Sequence, residues 1–167
     1  MRRIFIILTM LMTLSIGVYA QKPATTKPSV KELLSVATSK DPLSVFTTLA
    51  TKNGYRSKGT SVNNDGIKTT YTKNVGSGGK KVELTIFLYD RNTFEYIIAT
   101  SFTPAVFKAW EAQLKALGFY FDKHDTQDAF RGSTQEYWHY TKPGYPPISI
   151  SQNSYNKEYM LIIGNSY

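Results

Sequence analysis

Twice in this chain a capping residue followed by proline opens an apolar helical stripe, a glycine closes it, and four strand-like segments follow. This recurrence constrains the fold more than any other feature, because it sets both the kinds of element and their order. Asp41-Pro42 starts the first stripe: aspartate accepts from free amides, and proline suits the first helical position, where no N–H is needed. Leu43, Phe46, Leu49 and Ala50 form its apolar face, and Gly54 ends it in a left-handed turn. Thr103-Pro104 repeats the start, Phe107, Trp110, Leu114 and Leu117 repeat the face, and Gly118 repeats the stop. A shorter helix precedes both: Ser29 and Glu32 fit a capping box, and Val30, Leu33, Leu34 and Ala37 fall at helical spacing.

After the first stripe, strands are predicted over 55–62, 67–74, 81–89 and 93–102. The third alternates clearly, Val82, Leu84, Ile86 and Leu88 against Lys81, Glu83, Thr85, Phe87 and Tyr89. Asn64-Asp65-Gly66 and Asp90-Arg91-Asn92 carry hairpin-turn chemistry, and Gly76-Ser77-Gly78-Gly79 reads as a flexible loop. After the second stripe, strands are predicted over 119–122, 134–142, 147–152 and 158–164. Asn53-Gly54-Tyr55 answers Leu117-Gly118-Phe119, Tyr71-Thr72-Lys73 answers Tyr140-Thr141-Lys142, and Glu95-Tyr96 answers Glu158-Tyr159. The expected fold class is therefore α+β: two tandem helix-plus-four-stranded antiparallel sheet repeats, residues 29–103 and 104–167, with helices packed on one sheet face. Repeats of about 60 residues are marginal alone, so they are expected to form one compact unit.

The N-terminus reads as an export signal. Arg2 and Arg3 precede an apolar run from Ile4 to Val18, about 15 residues and short of the ~20 that cross a bilayer. Val18-Tyr19-Ala20 offers small residues for cleavage before Gln21, and residues 21–28 (QKPATTKP) read as a flexible tether. The expectation is a periplasmic or secreted protein with no stable membrane insertion after cleavage. The chain has no cysteine, which excludes disulfides, thiol catalysis and a lipid-modified cysteine. Its stability must come from packing.

Beyond residue 20 the balance is 18 basic less 12 acidic residues, or +6. Lys52, Arg56, Lys58, Lys68, Lys73, Lys80 and Lys81 concentrate the excess with only Asp65 between them. Such a stretch reads first as a solvated face, and it also suits an acidic polysaccharide, anionic headgroup or acidic protein surface. Nucleic acid is not expected, since export puts it out of reach and no recognition-helix pattern is present. His124 and His139 are the two histidines. Asp122, His124, Asp125 and Asp128 cluster in the segment 122–133, where a histidine among carboxylates can hold a metal or move protons, and where turn formation calls for the same residues. Metal-ligand spacing is missing, and so is a nucleophile elbow; Gly76 to Lys81 lacks the first glycine and the Ser or Thr of a phosphate loop, and a strand follows it. No cofactor or metal is implied, and no catalytic residue is assigned.

Aromatic residues carry the stronger signal: 21 of the 147 residues after position 20 are Phe, Tyr or Trp. Helices can cover one face of a sheet. If Ile86 and Leu88 face them, Phe87 and Tyr89 are left for the other surface, with Tyr137 and His139 or Trp138 and Tyr140 beside them. Burial of both faces between repeats is the competing reading. Trp110, at helical spacing, is assigned to the core. The two units, Asp41-Pro42 to Phe102 and Thr103-Pro104 to Ile163, with their aromatic strands, resemble the architecture of the β-lactamase-inhibitory proteins. That resemblance implies a concave, aromatic-rich sheet surface that grips a partner protein. The chain lacks that family's Gly-Met-Thr helix start and its cysteines, so inhibition is not carried over.

The resulting expectation is a non-catalytic binding module holding a protein partner through Phe87, Tyr89, Tyr137 and His139, assisted by Lys73, Lys80 and Lys81. The alternatives are a glycan or envelope-polysaccharide binding protein, and a hydrolase using the 122–139 region.

Overall fold

Capping decides where the helices begin. In a computed structural model, which describes residues 27–75, 79–90, 93–129 and 132–165, the first helix α1 (Val30–Ala37) starts at Ser29. The Ser29 hydroxyl accepts from the Glu32 N–H at 3.3 Å, and the Glu32 carboxylate accepts from the Ser29 N–H at 2.8 Å. That second bond holds the Glu32 carboxyl below its usual range. Helix α2 (Pro42–Lys52) begins the same way, with Asp41 Oδ1 accepting from the Ser44 N–H at 3.1 Å. Helix α3 (Ala105–Ala116) departs from expectation: Pro104 stands at its cap, no side chain caps it, and the Thr103 carbonyl accepts from the Val106 N–H. The buried faces are also shifted slightly, with Val36 buried in place of Ala37 and Val106 and Ala109 buried beside Trp110 and Leu114. The segments expected to be a signal peptide (1–20) and, up to residue 26, a tether lie outside the described residues, as do Gly76 to Gly78, Arg91 and Asn92.

Eight strands follow: β1 (Arg56–Asn63), β2 (Gly66–Val75), β3 (Lys80–Tyr89), β4 (Thr93–Ser101), β5 (Tyr120–Asp128), β6 (Thr134–Thr141), β7 (Ile148–Asn153) and β8 (Tyr159–Gly164). They form one open sheet in the order β1-β2-β3-β4-β8-β7-β6-β5, antiparallel throughout. This overturns the expected fold class of two tandem helix-plus-four-strand repeats. The decisive pairing is β4 with β8, from Tyr96↔Gly164 to Ser101↔Tyr159, which merges the strands into a single sheet. Local periodicity cannot reveal such a pairing, because its partners lie about 60 positions apart in sequence. Nor does one helix serve each set of strands: α1 packs on α2, α3, β4 and β8, bridging the seam. Its Val30 N–H donates to Gln113 Oε1 of α3 at 2.9 Å.

All three helices lie against the same sheet face. There Leu84, Ile86 and Leu88 of β3, Ile97 of β4, Leu161 and Ile163 of β8, and Ile148 and Ile150 of β7 meet Leu33, Phe46 and Leu114 in a single core. Strict alternation puts these residues on one face and their neighbours on the other. One core that crosses β4 and β8 removes from water far more apolar surface than two separate layers of about 60 residues would. Among the described residues no helix is long and apolar enough to cross a membrane.

Candidate functional site

No helix covers the second face among the described residues, and its side chains sort into a centre and a rim. Register brings Phe87 of β3 opposite Tyr96 of β4, and their rings stack at 5.3 Å and 17°. Tyr96 in turn faces Gly164 of β8, which has no side chain, so the surface dips there. Gly164 is required at that point. Its φ is +96°, and a Cβ would come within 2.0 Å of the Glu95 carbonyl oxygen. Ile98 and Ile162 pair across the seam, and Ile162 is buried although it stands outside the main core. Farther along, the Gln135 amide donates to Ser151 Oγ and accepts from Asn153 Nδ2, which satisfies polar groups that the sheet buries. Burial holds the Tyr96 hydroxyl above its usual pKa, with the Glu95 charge adding to the effect, and burial does the same for Tyr137.

A cleft of about 530 Å³ lies at the β5–β8 end of this face. His139 organises it. The ring stacks on Tyr137 at 6.1 Å, its Nδ1 lies 2.8 Å from Ser149 Oγ, and its Nε2 lies 3.1 Å from Asp125 Oδ2. Asp125 is also 2.8 Å from Lys123, whose ammonium holds the Asp125 carboxyl below its usual range and is itself held charged by it. A serine, a histidine and an aspartate thus stand in sequence. His139 Nε2 and Asp125 Oδ2 are close but lack the alignment of a hydrogen bond, so the carboxylate does not orient the ring as it does in a nucleophilic triad. Among the described residues no three His, Asp or Glu side chains gather as a metal site.

The alternation of β5 divides the acidic segment that the sequence shows as one cluster. β5 runs from Tyr120 to Asp128, beyond the strand expected to end at 122, so much of the expected loop is strand. His124 therefore faces the helix side, stacked on Trp138 at 4.8 Å, while Asp125 joins His139 on the uncovered face. The two histidines do not meet.

Of the residues expected at the partner surface, Phe87, Tyr137 and His139 share the uncovered face, Tyr89 stands half-exposed at its end, and Lys81 occupies an exposed position in the same alternation. Lys73 and Lys80 are on the helix side. Lys73 Nζ donates to the Asn53 carbonyl at 2.9 Å, and Lys80 Nζ lies 5.1 Å from the centre of the Phe102 ring. Tyr96 and Ser149 join the site unannounced; alternation along β4 pointed to Tyr96, and only the β6–β7 register reveals Ser149. No family model, curated protein or solved structure matches the chain.

Proposed function

We propose that this protein is an exported, non-catalytic binding module that holds a partner protein on the uncovered sheet face. The observation that carries the reading is the anatomy of that face. Phe87, Tyr96, Ile98, Ile162, Met160 and Tyr137 form an apolar and aromatic centre; Lys68 of β2 and Lys123, Asp125 and Gln127 of β5 flank it, and Lys81 and Glu83 stand at the other end of β3 from Phe87. Core-and-rim arrangement of this kind typifies protein interfaces, where aromatic side chains act as anchors. Size agrees as well. Eight strands about 4.8 Å apart span about 34 Å, and about 20 Å of strand length gives about 700 Å², near the ~800 Å² that each partner contributes to a standard interface.

The test is footprinting with a partner recovered from an envelope extract. Binding should protect Tyr96, Tyr137 and Met160 from hydroxyl-radical oxidation, and Tyr96→Ala with Tyr137→Ala should weaken binding at least about 100-fold while Lys115→Ala leaves it unchanged. A partner that the double variant still binds at full strength overturns this reading. The cleft favours a second reading, a sugar ring stacked on Tyr137 and bonded by Asp125, Gln127 and Ser149. Saturable binding of envelope polysaccharide, lost in Tyr137→Ala and retained in Phe87→Ala, would select it over the first.

A further inference from the structure

A second cavity opens on the opposite, helix-bearing side, where β2 ends, β3 begins and α3 starts. Its volume is about 350 Å³, within the range of about 300–1,000 Å³ typical of ligand pockets. Tyr55, Val82, Ala99, Val106 and Trp110 form the apolar wall, and each of the five side chains is itself buried. Lys27, Lys73 and Thr103 supply polar groups around it, and none of the lining residues is an Asp or Glu. Lys73 donates to the Asn53 carbonyl, which uses one of its three N–H bonds and leaves the others to serve a ligand.

The other end of the sheet shows what such a place looks like when the chain fills it. Lys142 holds the Leu117 carbonyl at 2.7 Å as Lys73 holds that of Asn53. There the ring of Tyr145 covers the ammonium at 4.5 Å and meets Phe119 edge-on at 5.7 Å. Beside Lys73 the connecting sequence is Asn74-Val75-Gly76-Ser77-Gly78-Gly79, which has no ring to offer. Among the described residues the apolar space next to the cation is left as a cavity.

We propose that this cavity binds a small apolar carboxylate, its hydrocarbon body against Val82, Val106 and Trp110 and its carboxylate at Lys73 and Lys27. Two cations, with no Asp or Glu among the lining residues, select the anionic head, and the buried apolar wall selects the body. This site is separate from the uncovered sheet face and does not depend on the function proposed for it.

The experiment titrates the full-length gene product, as recovered from expressing cells, with sodium decanoate and with decanol, following tryptophan emission and heat. Decanoate should bind saturably, about tenfold more tightly than decanol, and quench the emission of Trp110. Lys73→Gln should weaken decanoate about tenfold and leave decanol unchanged. Ala105→Phe, at an exposed position on the cavity lip, should abolish both while circular dichroism stays unchanged. Absence of saturable decanoate binding overturns the proposal. So does equal binding of decanol, or equal binding by Lys73→Gln, and the latter variant keeps the test decisive if Ala105→Phe does not fold.

Discussion

Two helices of this protein end alike and are covered differently. At the end of α2, Lys73 reaches back from β2 to the Asn53 carbonyl; at the end of α3, Lys142 reaches back from β6 to the Leu117 carbonyl. Both cations stand where the helix dipole and unpaired carbonyls favour positive charge. Both lie over the ring that follows the closing glycine, Lys73 at 5.7 Å from Tyr55 and Lys142 at 5.9 Å from Phe119. The difference is Tyr145, supplied by the turn Pro143-Gly144-Tyr145-Pro146, which roofs the second cation and has no equivalent at the first among the described residues. A helix end favours a cation, while the composition of a neighbouring connection dictates what surrounds it. Among the described residues, one end is covered by Tyr145 and the other lies beside a cavity.

The severest way to break this comparison is to break the seam that places both ends on one sheet. Gly164→Ala puts a Cβ within 2.0 Å of the Glu95 backbone oxygen, at φ +96°, and backbone cannot yield as a flexible side chain would. A loss of about 3 kcal/mol or more is expected, read as a lower urea midpoint. Gly59→Ala serves as the control: φ there is +145° and nothing lies within 4 Å, so the loss should stay near about 1 kcal/mol. Equal losses would show that conformation, and not the close approach of β4 to β8, sets the requirement.

Next in size is the clamp itself. Lys142→Met should cost about 2 kcal/mol, combining a charge-assisted bond to a helix carbonyl with cation–π contact to two rings. Lys73→Met should cost about 1 kcal/mol, since one ring and a more open setting surround it. In the Tyr145→Ala background the Lys142→Met loss should fall toward that of Lys73→Met, and thermal melting of the single and double variants measures this. An unchanged gap would mean that Tyr145 is not what distinguishes the ends.

Much of this local structure was legible in the sequence, and the reasons are physical. Ser29 with Glu32, Asp41-Pro42, Gly54 and Gly118 are signals that act within one turn of chain, and the helices begin or end at each of them. Alternation in β3 separated Leu84, Ile86 and Leu88 from Phe87 because a strand has period two wherever it lies. What failed depended on distance. Pairing of β4 with β8 turned two expected repeats into one open sheet, and nothing local in Tyr96 to Ser101 names Tyr159 to Gly164 as its neighbour. The same limit hid Ser149 beside His139, and it let Lys73 and Lys80 be grouped with aromatics that stand on the other face. Thr103 misled for a different reason: its cap-and-proline start matched Asp41-Pro42 in composition, yet here the proline itself stands at the cap.

A smaller effect tests the closing glycines. Gly54 and Gly118 have φ of +78° and +81°, and an added Cβ would meet only lysine side-chain atoms, at 3.7 Å and 3.8 Å. Gly54→Ala and Gly118→Ala should each cost about 1 kcal/mol, equal within error, because the penalty is the left-handed backbone and not the neighbour. Calorimetric melting of both proteins checks the equality. A clearly larger loss at Gly118 would show that the sealed end resists backbone adjustment where the open end permits it.

The smallest effect is absent at neutral pH. Burial pushes the Tyr55 phenol at the open end up to about 12, and burial pushes Tyr140 up to about 12, with the Glu111 carboxylate 3.4 Å from its hydroxyl adding to the shift. Each group is neutral when protonated. Above its ordinary value of 10.0 the unfolded chain releases the proton and the folded chain keeps it, so stability should fall as pH rises from about 10 to about 12. Below that window neither tyrosine contributes. Tyr55→Phe and Tyr140→Phe should each remove part of the alkaline loss, as followed by unfolding midpoints at pH 9 and pH 11. Glu111→Gln should lower the Tyr140 ionisation and leave Tyr55 in place, seen as a shift in one component of the phenolate absorbance. A carboxylate bound in the cavity beside Tyr55 should do the reverse, raising the Tyr55 component alone, since a negative charge nearby opposes a second one. Movement of both components together would mean that decanoate acts on the whole fold, and the two ends would lose the distinction drawn between them.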